Sequence, residues 1–165
     1  MSIFSPLQLG ALALSNRIVM APMTRSRATA DGLPTEIMVD YYSQRATAGL
    51  IISEGIAPSE NGRGYSRTPG IYSREQIKAW AKITHAVHEN GGRIVAQIMH
   101  VGRIANAVNK ASDSETVSPS AIRARGKMYT DVQGMQPFDE PRALEENEIA
   151  QVIAEYRNAA EGAFT

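Results

Sequence analysis

Short apolar runs alternate along the chain with longer stretches of helical periodicity. Three of these runs have the length and the Val and Ile content of strands: residues 17–22, 50–53 and 93–98. Because these runs are nearly continuous in apolar residues, they are typical of a parallel sheet that is covered on both faces. Ahead of them, the segment from Leu7 to Leu14 around Gly10 predicts a small hairpin.

The segments between the strands predict three helices with recognisable ends. Thr35 is placed to begin the first helix, which we expect to run to Ala48 and to end at a left-handed Gly49. Ser73 and Gln76 have the spacing of a capping box at the start of the second. The third has apolar residues on one face, namely Ile149, Val152, Ile153, Tyr156, Ala160, Ala163 and Phe164. The predicted order is therefore β-α-β-α-β-α.

Two stretches do not fit this alternation. The roughly 40 residues from Gly102 to Arg142 have no clear periodicity, and a loop of that length is usually functional or contains short elements of its own. The last helical pattern continues to Phe164 and Thr165 without a glycine or proline stop. We therefore expect the domain to be truncated within or after its third helix.

Composition and charge exclude several classes of protein. Lys plus Arg and Asp plus Glu are 17 each, so no basic surface for nucleic acid or for a membrane is predicted. The chain has no cysteine, which excludes disulfides, thiolate metal sites and Fe–S ligands within it. His85 and His88 lack a third ligand, so we predict no metal site. No apolar run approaches the about 20 residues that span a bilayer, and a cytoplasmic location is the default expectation.

Residues able to do chemistry follow the ends of the predicted strands. In a parallel β/α barrel, function collects at the carboxyl ends of the strands. These positions hold Pro22, Met23, Thr24 and Arg25, then Glu54 and Gly55, and finally Gln97, Met99, His100 and Arg103. The set contains a hydroxyl, an amide and a histidine, but no pair of carboxylates and no nucleophile beside a base. It suits hydrogen bonding to a polar ring system better than hydrolysis.

Five segments resemble signature stretches of the Old Yellow Enzyme family, in the order and with the spacing of that family. They read NRIVMAPMTR at 16–25, YYSQRA at 41–46, GLIISE at 49–54, GYSRTPG at 64–70 and QIMHVGR at 97–103. The resemblance implies an α/β fold, a partial TIM (β/α)8 barrel of about three βα units preceded by the small hairpin. Residues 1–165 are then expected to be the N-terminal part of a single FMN-binding barrel domain.

The resemblance also implies which residues contact FMN. Thr24 matches the threonine whose hydroxyl bonds the flavin O4, and Gln97 matches the amide that bonds the pyrimidine edge. Pro22 and Met23 are expected beside the ring, and Gly55 matches a position where the backbone approaches it. The residues taken alone favour a structural role instead: Thr24 as a hydroxyl that ends a strand or caps a turn, and Gln97 as a core or surface amide.

Three further residues are expected around the substrate. Tyr65 matches an aromatic residue at the substrate mouth, and Met99 replaces what is often an aromatic side chain above the site. His100 is either a pocket residue or a buried histidine that the backbone satisfies. Arg25, Arg45 and Arg103 are open to two interpretations, as phosphate ligands or as members of structural ion pairs beneath the site.

The activity that the resemblance implies is that of an FMN-dependent ene-reductase. Hydride from NADPH or NADH passes through the flavin to the activated C=C of an α,β-unsaturated carbonyl or nitro compound. The strand that carries the proton donor is expected to follow Thr165, so we expect the isolated chain 1–165 to be inactive. The alternative is a non-catalytic barrel fragment, or one half of a two-chain enzyme. Its bare strand edges predict assembly with the C-terminal half of the barrel or self-association.

Overall fold

A small antiparallel hairpin precedes the main sheet, as the sequence predicts. The computed structural model describes residues 2–164. Strands β1 (Leu7–Leu9) and β2 (Leu12–Leu14) pair with Leu7 opposite Leu14. Gly10 turns the chain between them with a φ of 57°, a conformation that glycine adopts at little cost.

The main sheet has three parallel strands with the second in the middle. They are β3 (Val19–Met20), β4 (Leu50–Ile56) and β5 (Ile94–Ile98), in the order β3-β4-β5. Because the strands are parallel, their carboxyl ends lie along one edge. Only β4 is buried along nearly its whole length, whereas Val19 and Val95 of the outer strands are 47% and 38% exposed. The prediction that all three strands are covered on both faces therefore holds only for β4.

Three helices follow the strands, and the first two pack with the sheet around one core. They are α1 (Glu36–Ser43), α2 (Arg74–Glu89) and α3 (Glu146–Ala163). The core joins side chains of α1, β4 and α2, including Met38, Tyr42, Ile51, Ile56, Trp80, Ile83 and Val87. The predicted capping box of Ser73 and Gln76 is present at the start of α2. None of the helices described is both long and apolar enough to cross a membrane.

The end of the first helix differs from the prediction. Helix α1 ends at Ser43 rather than at Ala48, and Gly49 does not have a left-handed φ. Thr35 does occupy the residue before the helix, but its hydroxyl donates to the carbonyl of Arg27 at 2.7 Å instead of capping. Gly49 is required for another reason: the backbone carbonyl of Asn16 lies where a Cβ would stand.

The stretch without periodicity contains elements that are too short to produce a pattern. After a 3-10 helix at Ala107–Asn109, β7 (Lys127–Thr130) and β8 (Gly134–Pro137) form an antiparallel hairpin. Strand β6 (Val117–Ser118) precedes this hairpin in the chain and β9 (Arg142–Ala143) follows it. These two-residue strands pair with each other in parallel.

The apolar face predicted for α3 is mostly on the surface. Ile149, Ile153 and Phe164 are 49%, 57% and 93% exposed, and Ala159 is the fully buried residue of this helix. An apolar surface of this kind on a barrel helix is normally covered by neighbouring elements.

Ile83 is expected to be a main contributor to the stability of the core, because it is fully buried between α2 and the sheet. Ile83→Ala should lower the free energy of unfolding by about 2–5 kcal/mol, through lost burial and a cavity. The exposed Lys78 on the same helix is the control, and Lys78→Ala should change stability by no more than about 0.5 kcal/mol. Urea unfolding measures both, and equal midpoints for the two variants contradict this account of the core.

Candidate functional site

The carboxyl ends of β3, β4 and β5 form one edge, here called the strand-exit rim, made of residues 22–25, 54–55 and 97–100. Pro22, Met23 and Thr24 leave β3 along the surface and are exposed, Met23 to 42%. Gly55 pairs with Gln97 across the exits of β4 and β5. The structure therefore brings the five residues predicted to contact a flavin to the same edge of the sheet.

A buried carboxylate ties two of these exits to helix α1. Glu54 is 1% exposed, and its carboxylate accepts hydrogen bonds from the backbone N–H of Arg25 and from the hydroxyl of Tyr42, both at 3.3 Å. The backbone N–H of Glu54 donates to the same hydroxyl at 2.8 Å. Burial raises the pKa of Glu54 above its ordinary value, and the bonds from Arg25 and Tyr42 oppose that shift. Burial and the charge of Glu54 also raise the pKa of Tyr42.

Two arginines at the base of the rim stack on one tyrosine. The guanidinium of Arg45 lies 3.8 Å from the centroid of the Tyr41 ring, and that of Arg25 lies 5.3 Å from it. The Tyr41 ring meets the edge of Tyr42 with centroids 5.2 Å apart. The structure thus places both cations within cation–π distance of Tyr41, the neighbour of the Tyr42 that binds Glu54.

The exits of β4 and β5 are joined through an irregular register. Ile52 pairs with Val95 and Gly55 pairs with Gln97, so the ladder shifts between them. The backbone N–H of Gln97 donates to the hydroxyl oxygen of Ser53 at 3.0 Å. Gln97 is therefore held beside Gly55 by a side chain of the neighbouring strand.

The side chain of Met99 lies over Gly55. A Cβ on Gly55 would meet the terminal methyl group of Met99, the far end of a flexible side chain that could move to accommodate it. The sequence interpretation was that the missing Cβ lets the backbone approach a flavin. In the structure, the space that the missing Cβ leaves is used by Met99, so these two residues are adjacent at the rim.

Two polar side chains of the rim are free to bind a ligand. Among residues 2–164, neither the hydroxyl of Thr24 nor the side-chain amide of Gln97 hydrogen-bonds another protein group. A hydroxyl and an amide together offer three donors and two acceptor oxygens. This donor set fits the polar edge of a planar heterocycle such as the flavin ring.

Tyr65 is on a loop beside the chain that follows β5. Its neighbour Gly64 packs so closely that a Cβ there would lie 2.7 Å from Val101 and 2.8 Å from Ala105. The carbonyl of Gly64 also accepts from the side chain of Asn109 at 3.1 Å. The Tyr65 side chain itself is 37% exposed. The loop is thus fixed while its aromatic ring remains accessible.

His100 lies against α3. Its backbone N–H donates to the hydroxyl of Tyr156 at 2.9 Å, and its Nδ1 accepts from the backbone N–H of Gly102 at 3.0 Å. Burial lowers the pKa of the His100 imidazole, and the nearby Glu155 opposes that shift. An Nδ1 that accepts this bond and a lowered pKa both favour the neutral imidazole, whose buried Nε2 has no hydrogen-bond partner among residues 2–164.

Two residues that shape the rim were not singled out from the sequence, Ser53 and Tyr42. Both are buried polar groups that hydrogen-bond the backbone of a different element. The available signal was the Ser53-Glu54 pair, which interrupts an apolar strand directly before a glycine. Polar residues inside a covered strand need partners, and those partners are the backbone of Gln97 and of Arg25.

Comparison with protein families gives a match along the whole described chain. The profile of the NADH:flavin oxidoreductase / NADH oxidase family matches residues 2–165. Among curated relatives, 12-oxophytodienoate reductase 7 of Oryza sativa subsp. japonica is 39% identical over 161 residues, which are 96% of this chain and 41% of the relative. Chanoclavine-I aldehyde reductase of Penicillium roqueforti is 43% identical over 165 residues, covering 98% of this chain and 42% of that protein.

Solved structures show the same relationship. An old yellow enzyme homologue from Zymomonas mobilis superimposes with a TM-score of 0.93 at 47% identity, covering 99% of this chain and 45% of that one. Morphinone reductase in complex with tetrahydroNAD gives a TM-score of 0.92 at 43% identity, with 99% and 46% covered. The chain thus spans less than half the length of these relatives.

The buried Glu54 predicts a specific pH dependence of stability. Because its pKa is raised in the folded protein, the folded state holds this proton more tightly than the unfolded state. The contribution is present at low pH and is lost as pH rises from the ordinary carboxyl range through the folded-state pKa. Glu54→Gln does not titrate, so its stability relative to the unaltered protein should improve as the pH rises above the ordinary carboxyl range.

Urea unfolding at several pH values measures this difference. Glu75→Gln, which removes an exposed carboxylate from α2, controls for the change in net charge. A constant difference between Glu54→Gln and the unaltered protein across the pH range contradicts a raised pKa for Glu54.

Proposed function

Because the chain belongs to the NADH:flavin oxidoreductase / NADH oxidase family, we propose that its strand-exit rim binds FMN in an NAD(P)H-dependent ene-reductase. Its fold is a partial (β/α)8 barrel, like the corresponding part of the Old Yellow Enzyme structures that it matches. The observation that carries the proposal is a pair of polar side chains, Thr24 and Gln97, that lie at one edge of a parallel sheet and have no hydrogen-bond partner within residues 2–164. This edge is where β/α barrels hold their ligands.

Each residue of the rim has a role in this proposal. The hydroxyl of Thr24 would donate to the flavin O4, and the amide of Gln97 would donate to and accept from the pyrimidine edge. Pro22 and Met23 would lie beside the ring, and the backbone of Gly55 would approach it. FMN supplies the chemistry, by accepting hydride from NADH or NADPH and passing it to an electron-poor C=C. The polar contacts tune how readily the ring takes electrons.

The proposed substrates are α,β-unsaturated carbonyl or nitro compounds. The names of three matched relatives support the carbonyl class, since they refer to an oxo compound, an aldehyde and morphinone. Tyr65 and Met99 are proposed to line the substrate pocket: the first is an accessible ring on a fixed loop, and the second is a flexible side chain over Gly55. His100 is proposed to close the same region, through its place at the end of β5.

We further propose that residues 1–165 are the N-terminal part of a single FMN-binding barrel domain, inactive until the other βα units pack against it. An apolar groove of about 400 Å³ supports this, since it opens between α2, β5 and α3. Trp80, Ile94, Ile98 and Ala160 are among its lining residues. The remaining units, on the same or on a separate chain, are the expected occupants of this groove and of the open edges of the sheet.

Substitutions at the rim test FMN binding. We expect Gln97→Ala to weaken FMN binding about ten-fold, because it removes a donor and an acceptor at once. Thr24→Ala should change the reduction potential of the bound flavin more than its affinity, because the lost bond is to O4, where charge accumulates on reduction. Quenching of FMN fluorescence and a spectroelectrochemical titration measure these quantities, and consumption of NADPH with 2-cyclohexenone measures turnover.

Two exposed residues of matching type are the controls. Gln44→Ala and Thr47→Ala remove an amide and a hydroxyl away from the strand exits, and both should leave the flavin unaffected. A protein that purifies colourless and takes up no FMN refutes the proposed function.

The apolar surface of α3 predicts the behaviour of residues 1–165 expressed alone. We expect this piece to self-associate, because Ile153 and the edges of β3 and β5 are exposed. Ile153→Lys should reduce the self-association, whereas Glu161→Lys on the same helix removes no apolar surface and serves as the control. Size-exclusion chromatography with light scattering measures the effect. A well-behaved monomer at high concentration contradicts the role assigned to these surfaces.

A further inference from the structure

Strand β4 contains one residue more than a regular ladder with β5 requires. Ile52 pairs with Val95 and Gly55 pairs with Gln97, so two residues of β4 stand opposite the single residue Ala96. This two-against-one arrangement is a β-bulge, which interrupts the ladder and redirects the strand. It lies immediately before Gly55, at the edge where FMN is proposed to bind.

The hydroxyl of Ser53 restores the hydrogen bonding that the bulge interrupts. The backbone N–H of Gln97 donates to Ser53 Oγ at 3.0 Å, and the Ser53 hydroxyl donates to the carbonyl of Glu54 at 2.8 Å. Two residues later the regular pattern returns, because Met99 donates its N–H to the carbonyl of Ile56 at 2.9 Å. Ser53 is 1% exposed, so its hydroxyl takes the place of a backbone acceptor inside the sheet.

We infer that Ser53 is a positioning residue for Gln97, an inference that rests on the proposed FMN site. The hydrogen bond fixes the backbone of Gln97 level with Gly55, and the side-chain amide extends from that backbone. An amide that meets a donor and an acceptor of a rigid ring at the same time tolerates little displacement. Ser53 itself does not touch the ligand, because its buried hydroxyl is engaged by two protein groups.

Hydrogen exchange tests the positioning without any flavin. Ser53→Ala removes the acceptor, and we expect the amide of Gln97 to exchange about ten-fold faster. The amide of Ile51, which donates to the carbonyl of Arg93 at 2.8 Å, is the internal reference in the same sheet. Unchanged exchange at Gln97 overturns the inference, whatever the protein does with FMN.

The matched control is a second buried serine. Ser118 in β6 is 4% exposed and its hydroxyl donates to the carbonyl of Ser120. Ser118→Ala should leave the exchange of Gln97 and the binding of FMN unchanged. An equal effect of Ser118→Ala on the Gln97 amide shows a general loosening of the fold and overturns the specific role of Ser53.

The properties of bound FMN provide a second readout. They would not change if Ser53 only stabilised the fold. Dissociation constants, flavin absorption bands and reduction potentials are compared for the unaltered protein, Ser53→Ala, Gln97→Ala and the double variant. We expect Ser53→Ala to weaken FMN binding about five-fold and to shift the flavin band, with no added effect in the Gln97→Ala background. Equal effects in both backgrounds overturn the inference.

The same series separates failure of the inference from failure of the proposed function. If Gln97→Ala leaves FMN binding unchanged, the flavin role of Gln97 is refuted, while the exchange experiment still reports on Ser53. Ser53→Cys covers the case in which Ser53→Ala does not fold, because a thiol has a similar shape and is a weak acceptor. We expect intermediate exchange at Gln97 in that variant, and full protection overturns the inference.

Discussion

The buried carboxylate of Glu54 is the interaction on which the arrangement of the rim depends. Removing a carboxylate from water is costly unless hydrogen bonds replace the lost hydration. Those bonds come from the backbone of Arg25 and the hydroxyl of Tyr42, that is, from the exit of β3 and from α1. Thr24 precedes Arg25 and Gly55 follows Glu54, so the polar requirement of one side chain brings two predicted flavin contacts to the same place.

Most of the framework was predictable because its determinants are local. The apolar runs identified the three strands, Gly10 identified the hairpin, and the spacing of Ser73 and Gln76 identified the start of α2. The family resemblance, drawn from five segments, is confirmed by the profile match over residues 2–165. The strand exits followed from the strands themselves, since parallel strands end on one edge.

The features that sequence reasoning missed depend on residues that are distant along the chain. Gly49 was interpreted as a helix stop, but its reason is the carbonyl of Asn16, which is brought there by the pairing of β3 with β4. The partner of Ser53 is 44 positions further along. Helix α1 ends at Ser43 rather than Ala48, because the stop assigned to Gly49 was wrong. The apolar face of α3 was predicted, but periodicity shows which face is apolar and does not show what covers it.

The extra residue in β4 separates what the core requires from what the rim requires. Ile51 and Ile56 are five positions apart, yet both belong to the core that contains α1 and α2. In a regular strand, side chains an even number of positions apart point to the same face, so a spacing of five requires the bulge. Without the extra residue, Ile51 and Ile56 would be four positions apart and would still lie on one face, so the apolar packing by itself does not require the bulge. The length of this strand is thus under a constraint that hydrophobic packing does not impose, while its apolar side chains remain exchangeable for others of similar volume.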